Sequence, residues 1–189
     1  MNDNTLPVSI SQGYQSSIHV FLISIFLFVV ASQSAMADKW IFDSQVLRSS
    51  TNPRESIAII DPFDLQFIQK VFPTKKVLFH DDEGGVIVVS DDIGGFAIGG
   101  WENKIYFIRG WDGDFEDVLG NRIGDPLIRA IGASTAICDN GESPTCRSTI
   151  GSTLSYLVDL CEPTTFPSGV GRYEIKPCDK IQGFLLTSE

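Results

Sequence analysis

The stretch KVLFHDDEGGVIVVSDDIGGFAIGGWENKIYFIRGW, residues 76–111, decides the fold of this chain. It contains four runs of β-branched and aromatic residues, separated by turns rich in Asp, Asn and Gly. Such turns join neighbouring antiparallel strands, so the stretch predicts an antiparallel meander. The runs are almost continuously apolar. We therefore expect these strands to be covered on both faces or to lie centrally in their sheet.

A helix of about ten residues is predicted directly before the meander. Asp61 is the expected N-cap, and Pro62 suits the first helical position. Pro73 ends the pattern. The apolar residues that share one helical face, which we expect to cover the sheet, are Leu65, Ile68, Val71 and Phe72.

A second short helix is predicted within DVLGNRIGDPLIRAIGAST, residues 117–135, which follows the meander. Asp125 is the expected cap and Gly132 the stop. The glycine spacing matches neither a P-loop nor a dinucleotide fingerprint, so the glycines are assigned to turns and caps. The residues expected to face inward are Leu127, Ile128 and Ile131.

Four cysteines lie in the last third of the chain, at positions 138, 146, 161 and 178. An even number in an exported chain indicates two disulfides, with three possible pairings. We favour Cys138–Cys146 and Cys161–Cys178, because both close short loops. A zinc site with four cysteine ligands is the alternative, but the spacing lacks the paired knuckles typical of such sites.

The C-terminal segments TLSYLVDL and IQGFLL are predicted as strands. With the meander and the two helices they define an α+β fold class, built on an antiparallel sheet and braced by disulfides in its C-terminal part.

The N-terminal 37 residues are predicted to be a signal peptide. An apolar run of 13 residues, 18–30, is followed by the small-x-small pattern at Ala35–Ala37. The segment before the run contains no Lys or Arg, so a retained N-terminal anchor is the alternative. We expect 38–56 to form an N-terminal strand and loop, and 57–189 a single α+β domain. This predicts a periplasmic or secreted protein, without a stable membrane span if the signal is cleaved.

The chain is acidic, with 14 Lys and Arg against 24 Asp and Glu and a net charge of −10. Residues 1–37 contain one of these acids and no Lys or Arg, so the remainder carries −9. Such a charge repels nucleic acid and anionic lipid surfaces. It favours a basic partner, and inhibition of a basic enzyme is one form this could take.

Acidic residues are the main candidates for a site. Alternating carboxylates at Asp112 and Asp114, with Asp117, predict a weak Ca²⁺ site, although the pattern lacks the Gly and Glu of an EF-hand. A hydrolase could use acidic turn carboxylates, tested through Asp81, Asp91 and Asp112. Acidic residues in turns more often serve turn geometry and solubility.

Other catalytic signals are weak. His80 is the one histidine after the signal segment, and no Ser lies in a G-x-S-x-G motif. Trp101 and Trp111 stand near strand ends, where they belong either to the core, which we favour, or to an exposed ligand patch. We expect no catalytic residues and no cofactor.

The order FDLQFIQKVFP, strand meander, EDVLGNRIGDPLIRAIG, paired cysteines and IQGFLL resembles the enterobacterial sigma-E-regulated envelope lipoproteins, a domain family of unknown function. The similarity covers most of residues 55–187, and LGNRIGDPL is its most specific piece. The resemblance implies a periplasmic α+β domain in an envelope-stress context, with no catalytic residues to carry over. This chain lacks the lipid-anchor cysteine of that family near the predicted cleavage site, which places membrane attachment in doubt.

The sequence therefore predicts an exported, envelope-associated domain, non-catalytic and either binding or stress-related, whose partner is another envelope protein. The alternative is a secreted hydrolase that uses the acidic turns, with or without Ca²⁺.

Overall fold

The computed structural model describes residues 39–81, 85–91, 94–139, 143–148, 153–162, 166 and 169–188. The predicted signal peptide lies outside the described residues. Asp38–Glu189 form one unit by their internal contacts. No described helix is long and apolar enough to cross a membrane.

The described elements are, in chain order, β1 (Trp40–Phe42), β2 (Val46–Ser49), β3 (Ser56–Ala58), α1 (Leu65–Val71), β4 (Lys76–His80), β5 (Val86–Asp91), β6 (Gly94–Trp101), β7 (Lys104–Asp112), β8 (Phe115–Asp117), α2 (Leu127–Ile131), β9 (Thr135–Asp139), β10 (Thr145–Arg147), β11 (Leu154–Asp159), β12 (Val170–Glu174) and β13 (Lys180–Thr187). The α+β class is confirmed, with strands predominating over the two short described helices.

A nine-stranded antiparallel sheet has the order β12-β9-β10-β11-β13-β7-β6-β5-β4. The predicted meander is confirmed in β4 to β7, which pair with their neighbours in sequence order. The expectation of a covered or central position is wrong for β4, which lies at the sheet edge with Leu78 42% and Phe79 47% exposed. An apolar run in the sequence does not distinguish a central strand from an edge strand. The edge position depends on which strands pair, and that is decided by segments far apart in the chain.

A smaller four-stranded mixed sheet has the order β3-β2-β1-β8. Its β1 pairs in parallel with β8, although some 70 residues separate them along the chain. Aromatic side chains join the two sheets: the Trp40 ring lies 4.9 Å from that of Phe96, and Phe42 stacks on Phe184 at 5.2 Å. Aromatic pairs bury large apolar areas, so this contact forms the centre of the core.

Helix α1 begins later than predicted. Asp64 is its N-cap and accepts a hydrogen bond from the Phe67 amide at 2.7 Å. The predicted cap, Asp61, instead accepts from the Ala58 amide at 2.7 Å and closes the turn after β3. Both aspartate side chains can accept a hydrogen bond from a nearby backbone amide. Asp61 does so in the turn after β3, and Asp64 therefore caps the helix. Ile68 is fully buried, so the apolar face packs inward as expected.

Helix α2 ends as predicted at Gly132, whose φ of 69° is left-handed. Its start differs, because the Asp125 carboxylate accepts from the Arg122 amide at 2.9 Å and Pro126 occupies the cap position without a side-chain bond. Ile128 is 40% exposed, contrary to expectation, and Ala130 is buried in its place.

Two disulfides join Cys138 to Cys146 and Cys161 to Cys178, which is the favoured pairing. The first crosses from β9 to β10, where the two cysteines are direct register partners and are buried. The second ties the exposed ends of the segments that flank β12.

Candidate binding surfaces on the nine-stranded sheet

The loop after β8 is organised by the buried carboxylate of Asp117, which is 2% exposed. One oxygen accepts from the amides of Leu119 and Asn121, at 2.8 and 2.9 Å. The other accepts from the Asn121 side chain and the Tyr156 hydroxyl, both at 2.8 Å. Four donors satisfy this buried charge, so the stretch around LGN serves as scaffold.

The proposed calcium ligands are not assembled. Asp112 is exposed at the end of β7, whereas Asp117 is buried and engaged by its four donors. Among the described residues, one group of three possible ligands is close enough to share an ion, and its two sulfurs, from Cys161 and Cys178, form a disulfide. The calcium site therefore stays a prediction of the sequence that the geometry does not favour.

The acidic turns lie at opposite ends of the sheet. Asp81 follows His80, which pairs with Val86 at the start of β5. Asp91 ends β5, about 17 Å further along the strand, and its carboxylate meets the Lys75 ammonium at 2.5 Å. Asp112 lies at that same far end, opposite Gly95. His80 is exposed.

The two candidate tryptophans are exposed, and the favoured core assignment is wrong for both. Trp101 is 56% and Trp111 42% exposed. They do not form one patch, because Trp101 lies at the turn of the β6–β7 hairpin and Trp111 at its open end. Each instead borders a different cavity.

The cavity beside Trp101, called the aromatic cavity here, has a volume of about 480 Å³. Its lining residues are Gly85, Val86, Gly99, Gly100, Trp101, Tyr106 and Phe107. Glycine is required in its floor. A Cβ at Gly99 would lie 2.0 Å from the Phe107 ring, and one at Gly100 would lie 2.3 Å from that of Phe63. The floor is thus backbone and the walls are aromatic.

A β-bulge shapes this cavity. Gly99 pairs with Phe107 and Gly100 with Ile105, so Tyr106 is the unmatched residue of β7. Tyr106 is 47% exposed and stands near the exposed Trp101. Bulges redirect side chains in this way. Two adjacent glycines inside a predicted strand are the signal in the sequence that could have located the cavity.

The cavity beside Trp111, called the Arg109 pocket here, has a volume of about 490 Å³ and was not predicted. Ile108 is fully buried, so by strand alternation Arg109 projects from the face opposite the core. Trp111 is the unmatched residue of a second bulge in β7, because Gly95 pairs with Asp112 and Phe96 with Gly110. The Arg109 guanidinium carbon lies 5.6 Å from the Trp111 ring centroid. Lys180 and Gln182 of β13 line the same pocket.

No family model matches this chain, and no curated protein matches it. Among solved structures, it is similar to the crystal structure of the uncharacterized protein yfeY from Escherichia coli. The TM-score is 0.49 and the identity 17%, over 69% of this chain and 92% of that chain. A likeness of this size supports no statement about activity, and the resemblance to envelope lipoproteins stays a prediction.

Proposed function

We propose that this protein is an exported, non-catalytic binding domain of the cell envelope, whose aromatic cavity holds a segment of another envelope protein. Two disulfides suit an oxidising, extracytoplasmic compartment. The observation that carries the proposal is the placement of two half-exposed aromatic side chains, Trp101 and Tyr106, around a glycine floor.

Large aromatic side chains are costly to leave in water, and those that stay exposed together are typical of interfaces. Trp and Tyr are also the residues most enriched among binding hot spots. The exposed Trp101 and Tyr106 side chains can therefore serve as anchor groups above the glycine backbone of the cavity.

The neighbouring strand edge suits an extended segment. β4 is the last strand of the described sheet on this side, and its final residue, His80, pairs with the cavity residue Val86. A partner strand could add its backbone hydrogen bonds to β4. Leu78 and Phe79 would then flank the added strand. That strand would lie about 10 Å from β5, so the chain that continues from it, and not its own side chains, would fill the cavity.

The charge of the chain favours a basic partner. With a net charge of −9 after residues 1–37, the exported domain attracts cationic surfaces, and encounter with them is accelerated at low salt. A basic enzyme held in an inhibited state is one such partner. The hydrolase alternative gains no support from the geometry. Asp81 lies at the opposite end of β5 from Asp91 and Asp112, and the Asp91 carboxylate is paired with the Lys75 ammonium.

Site-specific photocrosslinking in the native envelope tests the proposal. A photoreactive residue at Tyr106 should yield one discrete protein adduct, whereas the same group at Ile128, exposed to a similar degree on α2, should not. With the purified partner, Trp101→Ala should weaken binding about 30-fold, as for a hot-spot residue. Ile60→Ala, at an 82% exposed position, is the matched control. Equal crosslinking at both positions, or no adduct at Tyr106, would overturn the proposal.

A further inference from the structure

The side chain of Arg109 has a buried hydrogen-bond donor with no acceptor among the described residues. Its side chain is half-buried on the central strand β7, between the register partners Leu185 and Ala97. Its Nε is buried and has no acceptor among the described residues. The only hydrogen bond its guanidinium makes to them is a long one, 3.5 Å from Nη2 to the Ser143 Oγ.

The positive charge of Arg109 is also unmatched. Guanidinium groups do not deprotonate in proteins, so Arg109 cannot relieve its burial by becoming neutral. None of the ion pairs among the described residues involves it, although the chain has 24 acidic residues and 14 basic ones. A half-buried charge without an ionic partner among the described residues is unfavourable, so an anion in the pocket that reaches the outer Nη atoms would be bound favourably.

The geometry of the guanidinium suits a planar anion. The Trp111 ring lies beside it, within cation–π distance. Nη1 and Nη2 form the outer edge of the group, which can pair with both oxygens of a carboxylate. Arginine held in this way binds a carboxylate with defined orientation, which a lysine could not do.

The rest of the pocket limits the charge and shape of the ligand. Lys180 is the cross-strand partner of Asp159, and both line the pocket, so their charges offset each other. Among the described lining residues Arg109 then leaves a net charge of about +1, which favours a monoanion over a phosphate dianion. Apart from Ser143 and Gln182, the remaining side chains of the wall are apolar, and they include Trp111, Ile123 and Leu157.

We propose that the Arg109 pocket binds a carboxylate monoanion with an apolar body, paired to the Nη edge of Arg109 with the body against Trp111. A fatty acid and the C-terminus of a peptide with an apolar last residue share this chemistry. The site shares no lining residue with the aromatic cavity, so the proposal stands independently of that one.

Nuclear magnetic resonance of the full exported protein tests this directly through the arginine Nε–H signal of Arg109. Octanoate and N-acetyl-L-leucine are the two probes, and octanamide and N-acetyl-L-leucinamide are their uncharged counterparts. At least one acid should shift the Arg109 signal with a Kd of about 1 mM or lower, as expected for ligands of this size. The probe that binds identifies the source of the carboxylate. The amides should not shift it.

Substitutions then assign the site, with the indole N–H signal of Trp111 as the readout. Arg109→Met should weaken binding of the acid about 30-fold, and Arg109→Lys should restore only part of it, because a point charge lacks the bidentate edge. Arg172→Met, at an exposed position on β12, is the matched control and should leave binding unchanged. The signal shift in the unsubstituted protein keeps the test valid if Arg109→Met fails to fold. Binding of neither acid, equal binding of the amides, or tighter binding of inorganic phosphate would overturn the proposal.

Discussion

Tyr156 donates its phenolic hydrogen to the Asp117 carboxylate across 2.8 Å, and so joins β11 to the end of β8. The two residues are 39 positions apart in the chain. Both are buried, so their bond connects the large sheet to the small one in a site from which water is largely excluded.

Replacing Asp117 should be strongly destabilising. Asp117→Asn replaces one acceptor oxygen by an NH2 group. That group would face the donors that the oxygen now accepts from, such as the Asn121 side chain and the Tyr156 hydroxyl. We expect a loss of about 3 kcal/mol in the free energy of unfolding. Urea denaturation measures this. Asp112→Asn, at an exposed position, should change stability by less than about 0.5 kcal/mol. Similar losses in the two variants would show that the buried network contributes little.

Stability should fall in alkali because of Tyr156. Burial, and then the neighbouring Asp117 carboxylate, raises the pKa of the Tyr156 phenol. Above the ordinary tyrosine pKa of about 10, the unfolded chain loses this proton while the folded chain keeps it, so stability decreases by about 1.4 kcal/mol per pH unit. The contribution is fully present below about pH 10.

Urea unfolding between about pH 8 and pH 11 measures this slope. Burial also raises the pKa of the Tyr173 phenol. Tyr156→Phe should therefore reduce the slope, and the double variant with Tyr173→Phe should reduce it further. A tyrosinate absorbance that develops for Tyr156 before the protein unfolds would contradict the expectation.

The two disulfides should differ in their effects for a reason beyond loop length. Loop entropy predicts about 3 kcal/mol for Cys161–Cys178, which spans 17 positions, and about 2.5 kcal/mol for Cys138–Cys146, which spans 8. The Cys138–Cys146 pair is fully buried, however, so replacing both cysteines by Ala also removes packed core atoms. We expect the Cys138→Ala/Cys146→Ala variant to lose about 4 kcal/mol and to be the less stable of the two in urea. The reverse order would mean that loop closure outweighs packing here.

Gly99→Ala should disturb the aromatic cavity. The new methyl group would lie 2.0 Å from the Phe107 ring, so the ring has to move and we expect a loss of about 2 kcal/mol. Gly95→Ala on the same strand is the control, because its nearest neighbours would lie at 3.2 Å, and it should cost less than about 1 kcal/mol. Urea denaturation compares the two, and tryptophan fluorescence should report the movement beside Trp101 only for Gly99→Ala. Equal stability would show that Phe107 moves freely.

The sequence by itself determined the elements whose cause is local. Turn residues at short intervals predicted the meander, and the left-handed Gly132 was predicted as the stop of α2. The disulfide pairing followed from the shortest loops that the cysteines can close. These features depend on neighbours within a few residues to about 17 positions, so spacing is sufficient to find them.

Only the tertiary structure decided the features that require distant strands to meet. The edge position of β4 depends on where the sheet stops, and the parallel pairing of β1 with β8 joins segments far apart in the chain. The bulge at Gly99, and the lack of an acceptor for the Arg109 Nε among the described residues, arise from register and from which side chains face one surface. A one-residue change in register moves every side chain of a strand to the other face of the sheet. Local propensity is the same for both registers, so the sequence alone does not predict which one forms.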